Sequence, residues 1–532
     1  MVKKLLVFLM VALMLAAIIT GCGVKSSQDS VSGVYGSEPG TIDPALNQTL
    51  DGGIYINHAF EGLTTVSTGK VEPAIAKSWD VSADGMVYTF HLRDAVWTDG
   101  VAVKAQDFEY AWKRVLNPET ASPYAYILYY IKGAEAYNSG AGSVDDVMVK
   151  AKDDKTLEVI LVAPTAFFTQ LTAFMTYMPV RQDVIEANPE NWTQNPETYV
   201  SNGAFKMKEW KHSEELIFEN NDKYWDKNNV YLKEIRFKLM DDDAAALSAT
   251  EAGEIDINFR HIPTTEIPRL KQEGKLKIYP DLAVYFYDFN ITKEPFTDIK
   301  VRQAFNLAID RTEIVEKVTL AGQVPANAWV PYGAPDADPM KTFRDVSGKD
   351  YFPATANVAE AQKLLADAGF PNGEGFPEIE LIYNTSEGHK KIAEKVQEQL
   401  KKNLNINIKI TNMEWAVFVE ERNNGNYTFA RDGWGADYND PMTFLDMWTS
   451  SSGNNNTGWK SDAYDKLIKD AQNTGDLKKR FEYLHQAEDI FLTDMPVMPF
   501  YYYTQAIMEN AKLKGQYVSP IGQYFLHHAY FE

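Results

Sequence analysis

The sequence predicts an α/β protein of more than one domain, and three observations carry that prediction. Strand-like and helix-like runs alternate along most of the chain. A strand–helix–strand unit is written into 378–410. The chain has 532 residues, more than one hydrophobic core usually organises. In that unit 378–383 reads as a strand, 390–402 as a helix and 406–410 as a second strand, the arrangement that joins parallel strands through a helical crossover.

The other elements follow in order. Alternation over 79–97 predicts a hairpin turning at Ala83-Asp84-Gly85. A helix over 104–116 is stopped by Asn117-Pro118. Strands are expected around an Asp153-Asp154 turn in 150–161, then a buried helix over 165–175 and a loop over 187–196. Runs 215–219, 233–240 and 281–290 read as strands, 241–252 as a short helix and 253–257 as a brief strand. Val301, Phe305 and Ile309 form the core-facing stripe of a helix. Another helix, 354–368, ends at Gly369 with Pro371 beyond it. Helices 463–473 and 477–492 precede an aromatic strand over 496–506.

Composition narrows the function. A hydrophobic fraction of 45% supplies a packed core. The formal charge is −22, and −24 once Lys3 and Lys4 are removed, leaving 50 basic against 74 acidic side chains. That balance argues against nucleic acid and against electrostatic adhesion to anionic lipid. It weakly favours cationic ligands.

The first residues read as an address. Met1-Val-Lys-Lys4 is followed by fifteen uncharged apolar residues, Leu5 to Ile19, and then Thr20-Gly21-Cys22. This is the pattern of a secretory signal, and it is too short for a spanning helix of about 20 residues. Cys22 is the single cysteine of the chain, so no internal disulfide can form. Its setting resembles a bacterial lipoprotein signal, which implies a signal over 1–21, acylation of Cys22 and an anchor at the outer face of the cytoplasmic membrane. Residues 22–30 read as a flexible tether.

The stretch richest in chemistry is Arg431-Asp-Gly-Trp-Gly-Ala-Asp-Tyr-Asn-Asp-Pro441. Gly433 and Gly435 let backbone approach a neighbour, Trp434 offers an apolar face, and Asp437 offers a charge-assisted acceptor. A glycine-rich turn with solvated charges is the other reading. Together with Gly36-Ser-Glu-Pro-Gly-Thr-Ile-Asp-Pro44, Ser82-Ala-Asp-Gly85, Trp97-Thr-Asp-Gly100, Ser201-Asn-Gly-Ala-Phe205 and 296–311, this stretch resembles the oligopeptide-binding proteins of solute-binding family 5, which feed bacterial ABC importers.

The resemblance implies an architecture that periodicity alone does not: a bilobal type II periplasmic-binding-protein fold with an extra domain and a hinged cleft. Lobe I would combine 31–65, 190–289 and 506–532. The extra domain would be 66–189 and the other lobe 290–505, with crossings near Asn290 and Thr504. It implies a monomer working with a membrane permease and its ATPase, anchored by lipid only, with no cofactor, metal or nucleic acid.

The resemblance also assigns roles. Asp437 would receive a peptide's ammonium; a structural salt bridge is its other reading. Arg431 and Arg422 would meet the terminal carboxylate or acidic side chains, and His389 the carboxylate of one peptide length. Gly433, Trp434 and Gly435 would pair with ligand backbone, and Trp415 would wall a pocket. Tyr285, Phe286, Tyr287, Tyr55, Tyr124 and the run Tyr501 to Tyr503, Tyr502 included, are aromatic candidates, with ordinary core packing as the alternative. Phe259-Arg-His-Ile-Pro263 departs from the family's pattern, and its Arg260 and His261 have two readings, a change in pocket charge or side chains that simply point to solvent.

Two rivals remain. One is the same fold carrying a nickel chelate, haem, a sugar or a signalling peptide; a nickel site would favour clustered histidines, and the eight are scattered except for His527-His528 near the C-terminus. The other is a secreted hydrolase, for which the sequence has no His-Glu-x-x-His, no Gly-x-Ser-x-Gly and no phosphate-binding glycine loop.

Overall fold

The computed structural model describes residues 29–532 except 67–69, 166, 260, 339 and 520. The expected signal, Cys22 and Arg260 lie outside the described residues. The tether expected to run to residue 30 gives way to a strand there. Ser30–Gly36 pairs in parallel with Glu234–Leu239, and an ion pair of 2.6 Å between Asp29 and Lys233 sits at its start.

One mixed sheet of 11 strands runs through the molecule. From one edge, its strands are Ile408–Met413, Ile379–Asn384, Phe429–Gly435, Lys277–Phe289, Val497–Glu509, Ile257–Phe259, Ser30–Gly36, Glu234–Leu239, Glu215–Asn220 and Phe205–Lys211, with Val324–Pro325 added beside Val497–Glu509. The predicted crossover unit is present: Ile379–Asn384 and Ile408–Met413 pair in parallel around helix Glu387–Leu404. A separate sheet of four strands combines the hairpin Ala76–Val81 and Val87–Leu92 with Thr156–Ile160 and Val149–Asp153. The helix expected over 165–175 shrinks to one turn, Phe168–Leu171, followed by a tight turn at Met175–Tyr177. Phe167, Phe168, Leu171, Phe174 and Met175 are buried all the same.

The two long central strands, 13 residues each, place the cleft. Lys277 to Pro280 pair with Ile507 to Thr504, whereas Val284 to Asp288 pair with Tyr502 to Val497, and the register breaks between. Pro280 has no N–H to give the ladder, so a break beside it has a direct cause. The change of partner therefore falls at 281–283 and 502–504. Beyond this break Tyr285 to Phe289 pair with Gly433 to Phe429.

Candidate functional site

A cavity of about 410 Å³ lies between the two halves of the sheet, where the long strands change partner. One wall is a sheet edge. Phe429–Gly435 pairs with Lys277–Phe289 along its whole length, but its other neighbour, Ile379–Asn384, pairs only with Phe429 and Ala430. Residues 431–435 thus turn an edge toward the cavity with no strand beside it among the described residues, and every residue from Arg431 to Asp437 lines the space. Such an edge is what an extended chain can pair with.

Asp437 stands at one end, 8% exposed. Its backbone N–H donates to Thr443 Oγ1 at 2.9 Å, and its carboxylate accepts from the Tyr124 hydroxyl at 3.1 Å and from Thr443 at 3.4 Å. No cation pairs with it among the described residues, so the structural salt bridge is not what holds it. Burial, with Asp446 adding its charge, pushes the Asp437 carboxyl well above the usual range despite those two hydrogen bonds. Trp434 is fixed by its indole N–H on the Thr443 carbonyl at 2.7 Å, and Tyr124 lies against its ring.

The other end is basic. Arg431 donates to Tyr503 Oη at 2.8 Å and Asn384 Oδ1 at 3.3 Å, and its guanidinium sits 5.0 Å over the Tyr285 ring. His389, in the first turn of Glu387–Leu404, reaches the Tyr285 hydroxyl at 3.4 Å. Enclosure and the neighbouring Arg431 and His261 pull its imidazole well below the usual histidine range. Trp415 and Arg422 share one face of Trp415–Asn423, a helix capped by the Glu414 carboxylate, and both line the cavity. Arg422, however, is paired with Asp432. Asp288 is buried beside that pair, and burial and Asp432 push its carboxyl well up.

The aromatic candidates divide by strand alternation. Phe286 points away from the cleft and packs against Trp329 and Trp448. Tyr287 lies in a second core against Phe429 and Phe500, and Tyr55 in the first core against Phe237. Tyr502 donates to Asn327 Oδ1 or the Ala328 carbonyl, both at 3.2 Å, while its neighbours Tyr501 and Tyr503 line the cavity. The expectation that Phe286, Tyr287, Tyr55 and Tyr502 wall the cleft is therefore corrected: alternation turns Phe286 and Tyr502 away, while core packing holds Tyr287, on the same strand face as Tyr285, and Tyr55, in the helix Leu50–Ala59. Tyr285 is one layer back, stacked on Tyr501 at 4.8 Å and under Arg431.

The sequence reading did not anticipate the opposite wall. Asp51, Asp243, His261 and Gln523 also line the cavity, with His261 held by Asp243 at 3.2 Å. These come from separate stretches of the chain, and only the departure at 259–263 marked one of them beforehand.

Comparison with known proteins bears on this arrangement. The family model described as bacterial extracellular solute-binding proteins, family 5 Middle, matches residues 70–456. The oligopeptide-binding protein OppA of Bacillus subtilis (strain 168) is 42% identical over 507 residues, covering 93% of this chain and 91% of the relative. The structure of Haemophilus influenzae OppA in complex with the peptide RPPGFSPFR superposes with a TM-score of 0.89 at 30% identity, covering 96% of this chain and 100% of that one. An unliganded open form of the murein tripeptide binding protein MppA, 33% identical and covering 95% and 97%, superposes at only 0.61. The two halves of this chain are thus disposed as in the peptide complex rather than as in the open form.

Proposed function

The chain belongs to the family 5 bacterial extracellular solute-binding proteins, and we propose that it captures oligopeptides in the cleft and delivers them to an ABC peptide importer. The observation that carries this is the open strand edge at 431–435 running between Asp437 and Arg431. An extended peptide pairs its backbone with that edge, presents its ammonium to Asp437 and its carboxylate toward Arg431 and His389, and leaves its side chains to the rest of the cavity. Recognition then rests on what all peptides share. Charge-assisted contacts of this kind contribute about 1.5–3 kcal/mol each.

Delivery needs release, which the crossing at 281–283 and 502–504 would supply by letting the halves separate. In this reading the signal over 1–21 is removed, Cys22 is acylated, and the protein works as a monomer tethered outside the cytoplasmic membrane. Among the described residues no helix is long and apolar enough to cross a membrane. Capture needs no catalysis, and none is assigned.

Native mass spectrometry of the full chain in detergent, offered tri- to hexapeptides and the same peptides N-acetylated, tests this. Retention of many free-amine peptides and loss on acetylation is expected. Retention of no peptide would overturn the cargo, and equal retention of acetylated peptides would overturn the role of Asp437.

A further inference from the structure

The acidic end of the cleft has a charge balance that the fold alone does not close. Asp437 accepts only from neutral hydroxyls, those of Tyr124 and Thr443. Nine residues on, Asp446 is 2% exposed and accepts from the Tyr438 hydroxyl at 2.9 Å. Arg480, the guanidinium that bears on Asp446, is already gripped by Asp440 through two bonds of 2.8 and 2.9 Å. Asp437, at the cavity wall, and Asp446, buried behind it, are therefore two buried carboxylates whose side-chain partners are hydroxyls, with no cation of their own among the described residues.

The groups packed around the pair do not change this count. Residues 66–189 contribute Tyr124, Tyr126, Tyr130 and Tyr177, and the pair's own lobe contributes Tyr438 and Tyr464. All six phenols are pushed up by burial and stay neutral. Asp440 and Arg480 act on Asp446 in opposite senses, the carboxylate favouring its protonated form and the guanidinium its ionised form. Burial, with Asp440 adding its charge, pushes the Asp446 carboxyl up to about 8 against the hydrogen bond from Tyr438. Like charges in a low-dielectric enclosure resist ionising together.

We propose that Asp446 is a positioning residue that makes ammonium capture at Asp437 proton-linked: the carboxylate pair keeps a proton in the empty cleft and releases it when a peptide ammonium arrives. The proposal rests on the reading of Asp437 as the ammonium site and adds a thermodynamic consequence to it. No covalent bond to carbon or nitrogen changes. The peptide brings one positive charge, one carboxyl O–H ionises, and the proton leaves to solvent.

The sign follows from linkage. The empty pair holds its proton more tightly than the occupied pair, so peptide binding weakens as pH falls. A peptide's own amine ionises near 7.7–8.0 and stays charged at lower pH. Below about pH 7.5 the trend therefore belongs to the protein.

The test is titration calorimetry of the full chain in detergent with tri-, tetra- and pentaalanine, following the tightest of the three, in two buffers of different ionisation enthalpy. Release of about half to one proton per peptide is expected at pH 6.5, with affinity rising by up to about tenfold per unit between pH 5.5 and 7.5. Asp446→Asn keeps an acceptor for Tyr438, and it is expected to bind peptide, release less proton and move the affinity curve to lower pH. Tyr438→Phe removes the bond that steadies the Asp446 anion and is expected to move the curve to higher pH. Peptide binding without proton release would overturn the proposal, as would two variants shifting the same way. Binding of no alanine peptide would overturn the peptide reading and this proposal with it.

Discussion

The two ends of the cleft handle buried charge in opposite ways. At the acidic end, Asp437 has only hydroxyl partners, and the nearby Arg480 is committed to Asp440. At the basic end, Arg422 is committed to Asp432, and Arg431 has only a phenol and an amide. Among the described residues the acidic end thus holds one neutralised pair and two carboxylates, Asp437 and Asp446, without a cation of their own, and the basic end one neutralised pair and one guanidinium whose hydrogen-bond partners are neutral. The difference lies in the cost of waiting: a carboxylate can take up a proton while the cleft is empty, whereas a guanidinium stays charged. The acidic end is therefore suited to proton linkage, and the basic end relies on cation–π contact with Tyr285 and on polar neighbours.

The largest effect should come from Asp437→Ala. It leaves a bound ammonium desolvated and unpaired, at about 3–5 kcal/mol, or roughly a hundredfold to a few thousandfold in affinity. Calorimetry with free-amine peptides measures this, and retention of wild-type affinity would show that the acidic end is no ammonium site.

Much of this site was legible in the sequence because its chemistry is local. Gly433, Trp434, Gly435 and Asp437 lie on one strand and its exit, and the resemblance of that short run to the family's ligand-paired segment singled it out where composition alone left a glycine-rich turn equally open. The crossover unit at 379–413 was legible through its periodicity. The division of labour between the arginines was not. Arg422 and Arg431 look alike in sequence, and only strand geometry puts Asp432 beside the former. The run Tyr285-Phe286-Tyr287 could not be sorted until the strand's faces were fixed, since period-two alternation says that neighbours part but not which side is core. Asp446 left no signal at all, because its effect depends on burial beside Asp437.

Next in size is Arg422→Met, which breaks a buried pair and leaves Asp432 uncompensated next to Asp288. A loss of about 3–5 kcal/mol in stability is expected, seen as a lower midpoint in denaturant without a matching change in peptide specificity. Adding Asp432→Asn should restore much of it, because removing both partners is far milder than removing one. If Arg422→Met instead left stability intact and weakened only carboxylate-bearing peptides, the basic end would hold two free cations and the comparison would fail.

Arg431→Met is expected to act on binding. Peptides with a free carboxylate should lose about 1.5–3 kcal/mol, while C-terminally amidated peptides should be nearly unaffected. Equal losses for both forms would place Arg431 in the scaffold rather than at the ligand.

The smallest effect sharpens the contrast along the strand edge itself. A Cβ at Gly433 would lie 2.9 Å from Tyr503 Oη and 3.3 Å from Arg431 Nη2, so the phenol must swing aside and give up its bond to Arg431. A Cβ at Gly435 meets only Ala283, at 4.0 Å. The fold accepts that methyl, and its main effect is on room for a ligand strand. Gly433→Ala should therefore cost about 1 kcal/mol for free-carboxylate peptides and spare amidated ones, because it perturbs the basic end through Tyr503. Gly435→Ala should weaken both peptide forms alike and leave thermal stability unchanged. If Gly433→Ala weakened both forms equally, Tyr503 would not be coupling the edge to Arg431, and the basic end would have to be built without it.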